Sequence, residues 1–546
     1  MGVAQVSERQ KRLTLIACIM GSAIVFIDGT VVNVALPAIR EDLDASLADQ
    51  QWIVEAYLLT LGSLILIGGS LSDLFGRRRV FALGTALFGL TSFLCAIAPG
   101  SELLIAARGL QGIAGALLVP STLATIVAVF PEDERGRAIG TWTAWSGVST
   151  VIGPLAGGAL IDSASWRWIF ALNLLPVAAT LYLIVTALPE SLDERQEGRH
   201  VDVLGAILCA LGLAGPVFAL IEQPKYGWSD PIVLVPFFAG LAFLAAFIAQ
   251  ERRSPEPMLP LDLFKRRNFA VANLATLVIY AGLGAALFFL TLFLQETAGY
   301  SAIEAGIALL PLTVMLFFLS SRFGALADRF GPRFFMSVGP LIGGAGLLLL
   351  MAVDSDADYV TQILPAILPF GFGLAMTVAP LTATVLGDAD EHQAGIASGV
   401  NNAIARVAGL LAIAAIGAIV SAQFASSVDS RLEGERLSPP ARNAVADAKR
   451  QPLAGEVPPS VRGTERRSLE DVLKDASVSA FRVGIGIAGN LVLIGGVVSA
   501  VGIRNPRRKV AAAECPGGAI CGASEEIARD LPHVRLPDRA GAPVGA

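Results

Sequence analysis

Four charged side chains sit inside long apolar runs of this 546-residue chain: Asp28, Glu55, Arg108 and Arg406. A charge in an apolar medium is costly unless it is paired, so these four are the first candidates for function. Pairing with a cation favours the ionised carboxylate, and burial alone favours the neutral acid. A carboxylate whose surroundings alternate between those conditions can take up a proton on one side and release it on the other. Two further carboxylates, Asp73 and Asp328, stand at the ends of apolar runs beside glycine and arginine. A carboxylate there can pair with an arginine or cap a neighbouring helix, which suits a latch better than catalysis.

The elements that must position these groups are set by composition. The chain is 54% hydrophobic and 16% charged, with 56 glycines. Soluble chains run at about 25% charged, so the reading is a polytopic, all-α membrane protein whose helices pack closely on glycine. A net charge of −6 gives no reason to expect a nucleic-acid partner. Cys18, Cys95 and Cys209 lie in apolar runs and read as core residues. Cys515 and Cys521 lack partner ligands, so no metal is expected, and no cleavable signal is evident. A G-x4-G-K-[ST] phosphate loop is absent, and His200, His392 and His533 all fall in loops or the tail. Neither an ATP-driven pump nor an enzyme is therefore expected, and no cofactor.

A spanning helix needs about 20 apolar residues. That ruler predicts fourteen, over 13–36, 51–72, 79–98, 103–129, 138–161, 167–188, 201–222, 231–250, 268–294, 303–325, 334–353, 360–387, 395–422 and 480–503. Short loops on the N-terminal side carry most of the arginine and lysine, among them Arg77, Arg78, Arg79, Arg135, Arg137, Arg252, Arg253, Arg322, Arg329 and Arg333. Those on the opposite side carry Arg40, Arg167 and Lys225. Both termini are therefore expected in the cytoplasm, and the protein in the cytoplasmic membrane.

The stretch Gly69-Ser-Leu-Ser-Asp73-Leu-Phe-Gly76-Arg77 is matched 255 positions later by Gly324-Ala-Leu-Ala-Asp328-Arg-Phe-Gly331-Pro-Arg333. The copies end the second and tenth predicted helices. An offset of eight rather than six implies two extra helices between two related halves. The expected layout is a cytoplasmic N-terminus over 1–12, a six-helix bundle over 13–188 and two linker helices over 189–267. A second six-helix bundle covers 268–503, and a cytoplasmic tail of disordered composition covers 504–546. A polar segment over 423–479, read as extracytoplasmic, interrupts the second bundle; composition leaves it open between partly helical and disordered.

Depth brings two of the charges together. Asp28 lies about 22 Å from the cytoplasmic end of its helix and Arg108 about 8 Å from the outer end of its own, at 1.5 Å per residue. In a core of about 30 Å those depths coincide. Glu55 falls slightly further out. Tyr57, Trp52, Trp142 and Trp145, with Gln111 and Arg406, are candidates to line a substrate cavity; aromatic rings there could stack on a flat or cationic compound or serve as interfacial anchors.

Four stretches resemble motifs of the major facilitator superfamily, and more closely of its fourteen-helix drug:proton antiporters of the EmrB/QacA type. They are Asp28-Gly-Thr-Val-Val-Asn-Val-Ala-Leu-Pro37, Gly69 to Arg79, Leu104-Ile-Ala-Ala-Arg108-Gly-Leu-Gln111-Gly112, and Gly147-x5-Gly153-Pro154-x2-Gly157-Gly158. The second-half loop departs from the pattern at Pro332. The resemblance implies proton coupling through Asp28 and Arg108, with Glu55 as a further candidate. It implies a conformational latch in Gly69, Asp73, Gly76, Arg77, Asp328 and Arg333. It also implies a kinked, tightly packed fifth helix that marks antiporters. The function expected is a monomeric exporter that uses inward proton flow to drive an amphipathic compound out by alternating access. Export of an endogenous lipid or metabolite, and a non-transporting receptor, are the other readings.

Overall fold

The computed structural model describes residues 7–189, 201–255, 257–387, 394–435, 437–449, 452–453 and 457–505. The regular structure there is helical. The elements are α1 (Glu8–Leu43), α2 (Leu47–Phe75), α3 (Arg77–Ala96), α4 (Ser101–Val129), α5 (Glu132–Ser163), α6 (Arg167–Ala171), α7 (Leu174–Ala187), α8 (Val203–Tyr226) and α9 (Pro231–Arg253). After these come α10 (Arg267–Leu292), α11 (Ala302–Ala308), α12 (Leu310–Phe330), α13 (Pro332–Leu349), α14 (Leu364–Gly387), α15 (Ala394–Arg431), α16 (Pro439–Ala448) and α17 (Gly463–Gly502).

Among the described residues, 13 helices are long and apolar enough to cross a membrane, counting α6–α7 and α11–α12 as one span each. Each overlaps a predicted span. The remaining prediction, 138–161, falls within α5, a 32-residue helix that is not among the 13.

The sixth predicted span is broken in the middle. Pro176 has no N–H, so the Leu172 carbonyl is taken instead by Leu175 N at 3.3 Å. The break leaves Asn173 at the gap between α6 and α7, with its side chain free to turn inward.

Helices α1–α7 pack among themselves, as do α10–α17. The two sets meet where α2 crosses α15, where α5 crosses α11 and where α1 meets α10. The hairpin α8–α9 lies over the seam, with α8 against both α2 and α15; Leu213, Val217 and Ile221 form one apolar cluster with Leu410 and Ala414.

The repeated loops have the same backbone. Gly76 has φ 96° and Gly331 φ 92°, each ending one helix and starting the next. Side chains rarely adopt that conformation, which accounts for glycine at this point of both copies.

The polar segment 423–479 is largely helical and packed. Helix α15 runs on to Arg431, α16 starts at the Pro439-Pro440 pair, and α17 begins at Gly463, nearly five turns ahead of the predicted span. Ala441, Ala444, Leu469 and Leu473 are buried in the main apolar core, and Thr297 Oγ1 donates to the Leu453 carbonyl at 3.0 Å. Hydropathy misses this because the segment buries alanine and leucine between many charges. Residues 506–546 of the predicted tail, and Arg195, Arg199, His200, His392, His533, Cys515 and Cys521, lie outside the described residues.

Candidate functional site

Asp28 and Arg108 meet in the core of the first set of helices, 0% and 1% exposed. Arg108 Nη1 donates to Asp28 Oδ2. Asp28 Oδ1 accepts from Gln111 Nε2 and from Asn173 Nδ2, both at 3.0 Å. Gln111 Oε1 accepts from Arg108 Nη1 at 2.7 Å, and Ser92 Oγ accepts from Gln111 at 2.8 Å and Asn173 at 3.3 Å. Arg108 Nε reaches the Ile53 carbonyl at 3.0 Å, and its guanidinium lies 4.1 Å from the centre of the Tyr57 ring. Tyr57 in turn donates to the Val25 carbonyl at 3.2 Å.

Each of these partners of Asp28 is a hydrogen-bond donor. The guanidinium balances its charge, and the ring beneath adds a cation–π contact. The site is therefore a neutral, sealed, hydrogen-bonded ion pair held by α1, α2, α3, α4 and the α6–α7 gap. Losing either charge would strand the other in an apolar core.

Gln111 and Tyr57, expected to line a substrate cavity, belong to this network instead. Asn173 and Ser92 were not anticipated. A hint for Asn173 exists in the sequence, since an amide three residues before Pro176 interrupts an otherwise apolar run.

Glu55 is 0% exposed, and neither carboxylate oxygen has a hydrogen-bond partner among the described residues. It lies one turn beyond Gln51 on α2, whose Nε2 donates to the Ile413 carbonyl of α15 at 2.9 Å. Glu55 is thus on the side of α2 that faces the other set of helices. Arg406 lies further along the same seam, with its Cβ 3.4 Å from where a Gly62 β-carbon would be. Among the described residues no hydrogen bond joins either of them to the Asp28 network.

The tryptophans are spread apart. Trp142 donates to Ser22 Oγ at 2.9 Å, while Trp145 is 52% exposed. Trp52 faces α8, donating to Glu222 Oε1 at 3.0 Å with Phe218 6.0 Å away.

In the first repeated loop the side chain of Asp73 lies outside the described residues, and Arg77 is half-buried. In the second, Asp328 is exposed, and Arg333 donates to the Ala500 carbonyl at 2.8 Å. The glycine at which helices touch is Gly68, whose β-carbon would overlap the Ala116 carbonyl of α4. Gly69 of the motif has only an ordinary contact, 3.7 Å to Pro120.

On α5, Gly153 and Gly157 pack on Thr30 and Val31 of α1. Gly158 packs on α11, where a β-carbon would lie 2.7 Å from Ile303 Cα. Pro154 lends its carbonyl to the same contact, 2.8 Å from where a Gly306 β-carbon would be. Gly147 is within α5, and its surroundings are outside the described residues.

A cluster of inter-set bonds forms at the end opposite the arginine-rich loops. Arg40 of α1 grips Glu296 with Nε and Nη2 at 2.9 and 3.0 Å. Gln295 Nε2 donates to the Val34 carbonyl at 3.1 Å. Asp162 of α5 caps α11, accepting from Ala302 N at 3.2 Å and Ile303 N at 2.9 Å. Nothing in the sequence pairs Arg40 with Glu296, which are 256 residues apart. Among the described residues no group of three or more His, Cys, Asp or Glu gathers as a metal would require.

Residues 18–413 match the family model of the Major Facilitator Superfamily. The multidrug resistance protein Stp of Mycobacterium tuberculosis is 32% identical over 88% of this chain and 90% of its own. The tetracenomycin C resistance and export protein of Streptomyces glaucescens is 32% identical over 89% and 90%. The puromycin resistance protein of Streptomyces alboniger is 37% identical over 74% and 81%. In fold, the chain is similar to an inward-facing bacterial homologue of the lysosomal transporter Spinster, with a TM-score of 0.63 at 17% identity over 92% of this chain and 100% of that one. It is also similar to a D-xylose–proton symporter, with a TM-score of 0.54 at 16% identity over 75% and 90%. The chain belongs to the Major Facilitator Superfamily, and is a multi-pass membrane transporter rather than an enzyme.

Proposed function

We propose that this protein is a proton-coupled exporter of amphipathic toxic compounds across the cytoplasmic membrane, acting as a monomer. In this reading α5 completes fourteen spanning helices, arranged six, two and six, with both termini in the cytoplasm. The observation that carries it is the Asp28–Arg108 pair: a buried carboxylate, surrounded by hydrogen-bond donors, inside a helix bundle that must change its water access during transport. The names of the resistance relatives support an exporter of drug-like cargo.

In this reading each residue has a task. Arg40, Glu296, Asp162 and the glycine contact of α5 close the extracytoplasmic end. Opening that end breaks these bonds and lets water reach the first bundle. Asp28 then takes a proton, and its bond to Arg108 weakens because the charge it answers is gone. Closing the outer end and opening the inner one restores the charged pair and releases the proton inward. Gln111 and Asn173 hold the carboxylate in place meanwhile. Glu55 is a second candidate proton carrier on the seam. Asp73 and Asp328, with Gly76, Arg77 and Arg333, latch the cytoplasmic end in the opposite state; the exposed Asp328 fits a latch that is disengaged here.

The test is efflux of lipophilic cations and dyes from a pump-deficient bacterial host. The account expects energy-dependent efflux that a protonophore collapses and that Asp28→Asn abolishes at equal expression. No efflux of any panel compound by the wild type would refute drug export. A second reading, export of one particular secreted metabolite, draws on relatives named a tetracenomycin C resistance and export protein and a probable actinorhodin transporter.

A further inference from the structure

Two carboxylates outside the transport machinery converge at one end of the linker hairpin. Asp202 caps α8, its Oδ1 accepting from Gly205 N at 2.7 Å. Glu251 stands in the last turn of α9, its Oε2 accepting from Leu259 N at 2.8 Å. Each carboxylate is thus fixed by one oxygen. The other two oxygens, Asp202 Oδ2 and Glu251 Oε1, are buried and have no hydrogen-bond partner among the described residues. Glu251 as a whole is only 3% exposed.

Both free oxygens border the same small space. A β-carbon on Gly205 would lie 2.7 Å from Asp202 Oδ2 and 2.8 Å from Glu251 Oε1. They are therefore within roughly 5.5 Å of each other, the sum of those distances. Glycine at 205 keeps that space open. Two carboxylate oxygens this close, desolvated and unpaired, are unfavourable unless a cation or a proton stands between them.

We propose that Asp202 and Glu251 together bind a divalent cation, which clips the end of α8 to the end of α9. Carboxylate oxygens suit the hard cations Mg2+ and Ca2+. Two protein carboxylates, with backbone or water oxygens completing the shell, make a weak site, with a dissociation constant on the order of 10⁻⁴–10⁻³ M. Asp202 is half-buried. Because α8 packs on both α2 and α15, the clip stiffens the hairpin that covers the seam between the two sets of helices.

The experiment is thermal unfolding of the full-length protein in detergent, first in EDTA, then with MgCl2 or CaCl2 at constant ionic strength and pH. The proposal expects a saturable rise of a few degrees in the midpoint for the wild type, absent in Asp202→Asn and in Gly205→Ala, which puts a methyl group between the oxygens. Isothermal titration with the same salts should show one site in the wild type and none in Glu251→Gln. No response of the wild type to either cation overturns the proposal, as does an equal response in the variants. A midpoint that rises on acidification but not with cations assigns the pair to a shared proton instead and also overturns it.

Discussion

Arg108 and Asp28, 80 residues apart, share a buried hydrogen bond, and Gln111 one turn along α4 is bonded to both. The three form a closed ring in which each charge is matched and each amide atom used. Such a ring is stable only when complete, and the first prediction follows from that.

Arg108→Ala and Asp28→Asn should each destabilise the protein strongly, and the double variant by much less than the sum. Removing either partner leaves the other charge uncompensated in the core, a loss of about 3–5 kcal/mol. Asn at position 28 keeps an acceptor for Gln111 but no counter-charge for Arg108. Melting of the two single variants and the double variant in detergent checks this, and strictly additive losses would mean the pair is not held as a charged unit.

Arg40→Ala or Glu296→Gln should favour the outward-open state. The pair is half-buried and bidentate, and removing one partner of such a pair costs about 2–5 kcal/mol, which shifts a two-state balance by more than tenfold. The check is labelling of a cysteine placed at Ala302, which is buried where α11 meets α5, by a membrane-impermeant thiol reagent. Labelling should rise in Arg40→Ala, and unchanged labelling would remove this pair from the gate.

The glycines should divide sharply. Gly158→Val should block closure of the outer end, since even a β-carbon would press on the Ala302–Ile303 backbone at 2.7–2.8 Å. Gly68→Ala should cost more stability than Gly69→Ala, because only Gly68 is against backbone. Transport and melting assays on the three variants test this, and a well-tolerated Gly68→Ala would contradict the α2–α4 packing.

Glu55→Met should raise thermal stability, since it replaces two unpartnered buried oxygens with an apolar side chain of similar size. If Glu55 carries a proton, the same variant should lose energised efflux. A stable variant with undiminished efflux leaves coupling with Asp28 alone.

Much of this is legible in the sequence and some is not. The meeting of Asp28 and Arg108 follows from depth, because a helix advances by a fixed rise and a membrane has a fixed thickness. The paired loops are legible because glycine is required where φ is positive, and Gly76 and Gly331 both have it. Gln111 and Tyr57 are assigned to a cavity because depth says nothing of which face of a helix they occupy. Asn173 is hidden because the break before Pro176, which leaves it between α6 and α7, does not show in hydropathy. The Arg40–Glu296 pair and the ordered segment after Arg431 depend on long-range packing, to which hydropathy is blind. The carboxylates of Asp202 and Glu251 look like ordinary loop acids until the hairpin brings them together.

The central claim, that Asp28 carries the coupled proton, is tested most directly in liposomes containing purified protein. An imposed pH gradient is used to concentrate a lipophilic dye, and dye exchange without a gradient is measured in parallel. The account predicts that Asp28→Asn still exchanges dye across the membrane but no longer concentrates it when the gradient is applied. Gradient-driven accumulation by Asp28→Asn equal to that of the wild type would contradict the account.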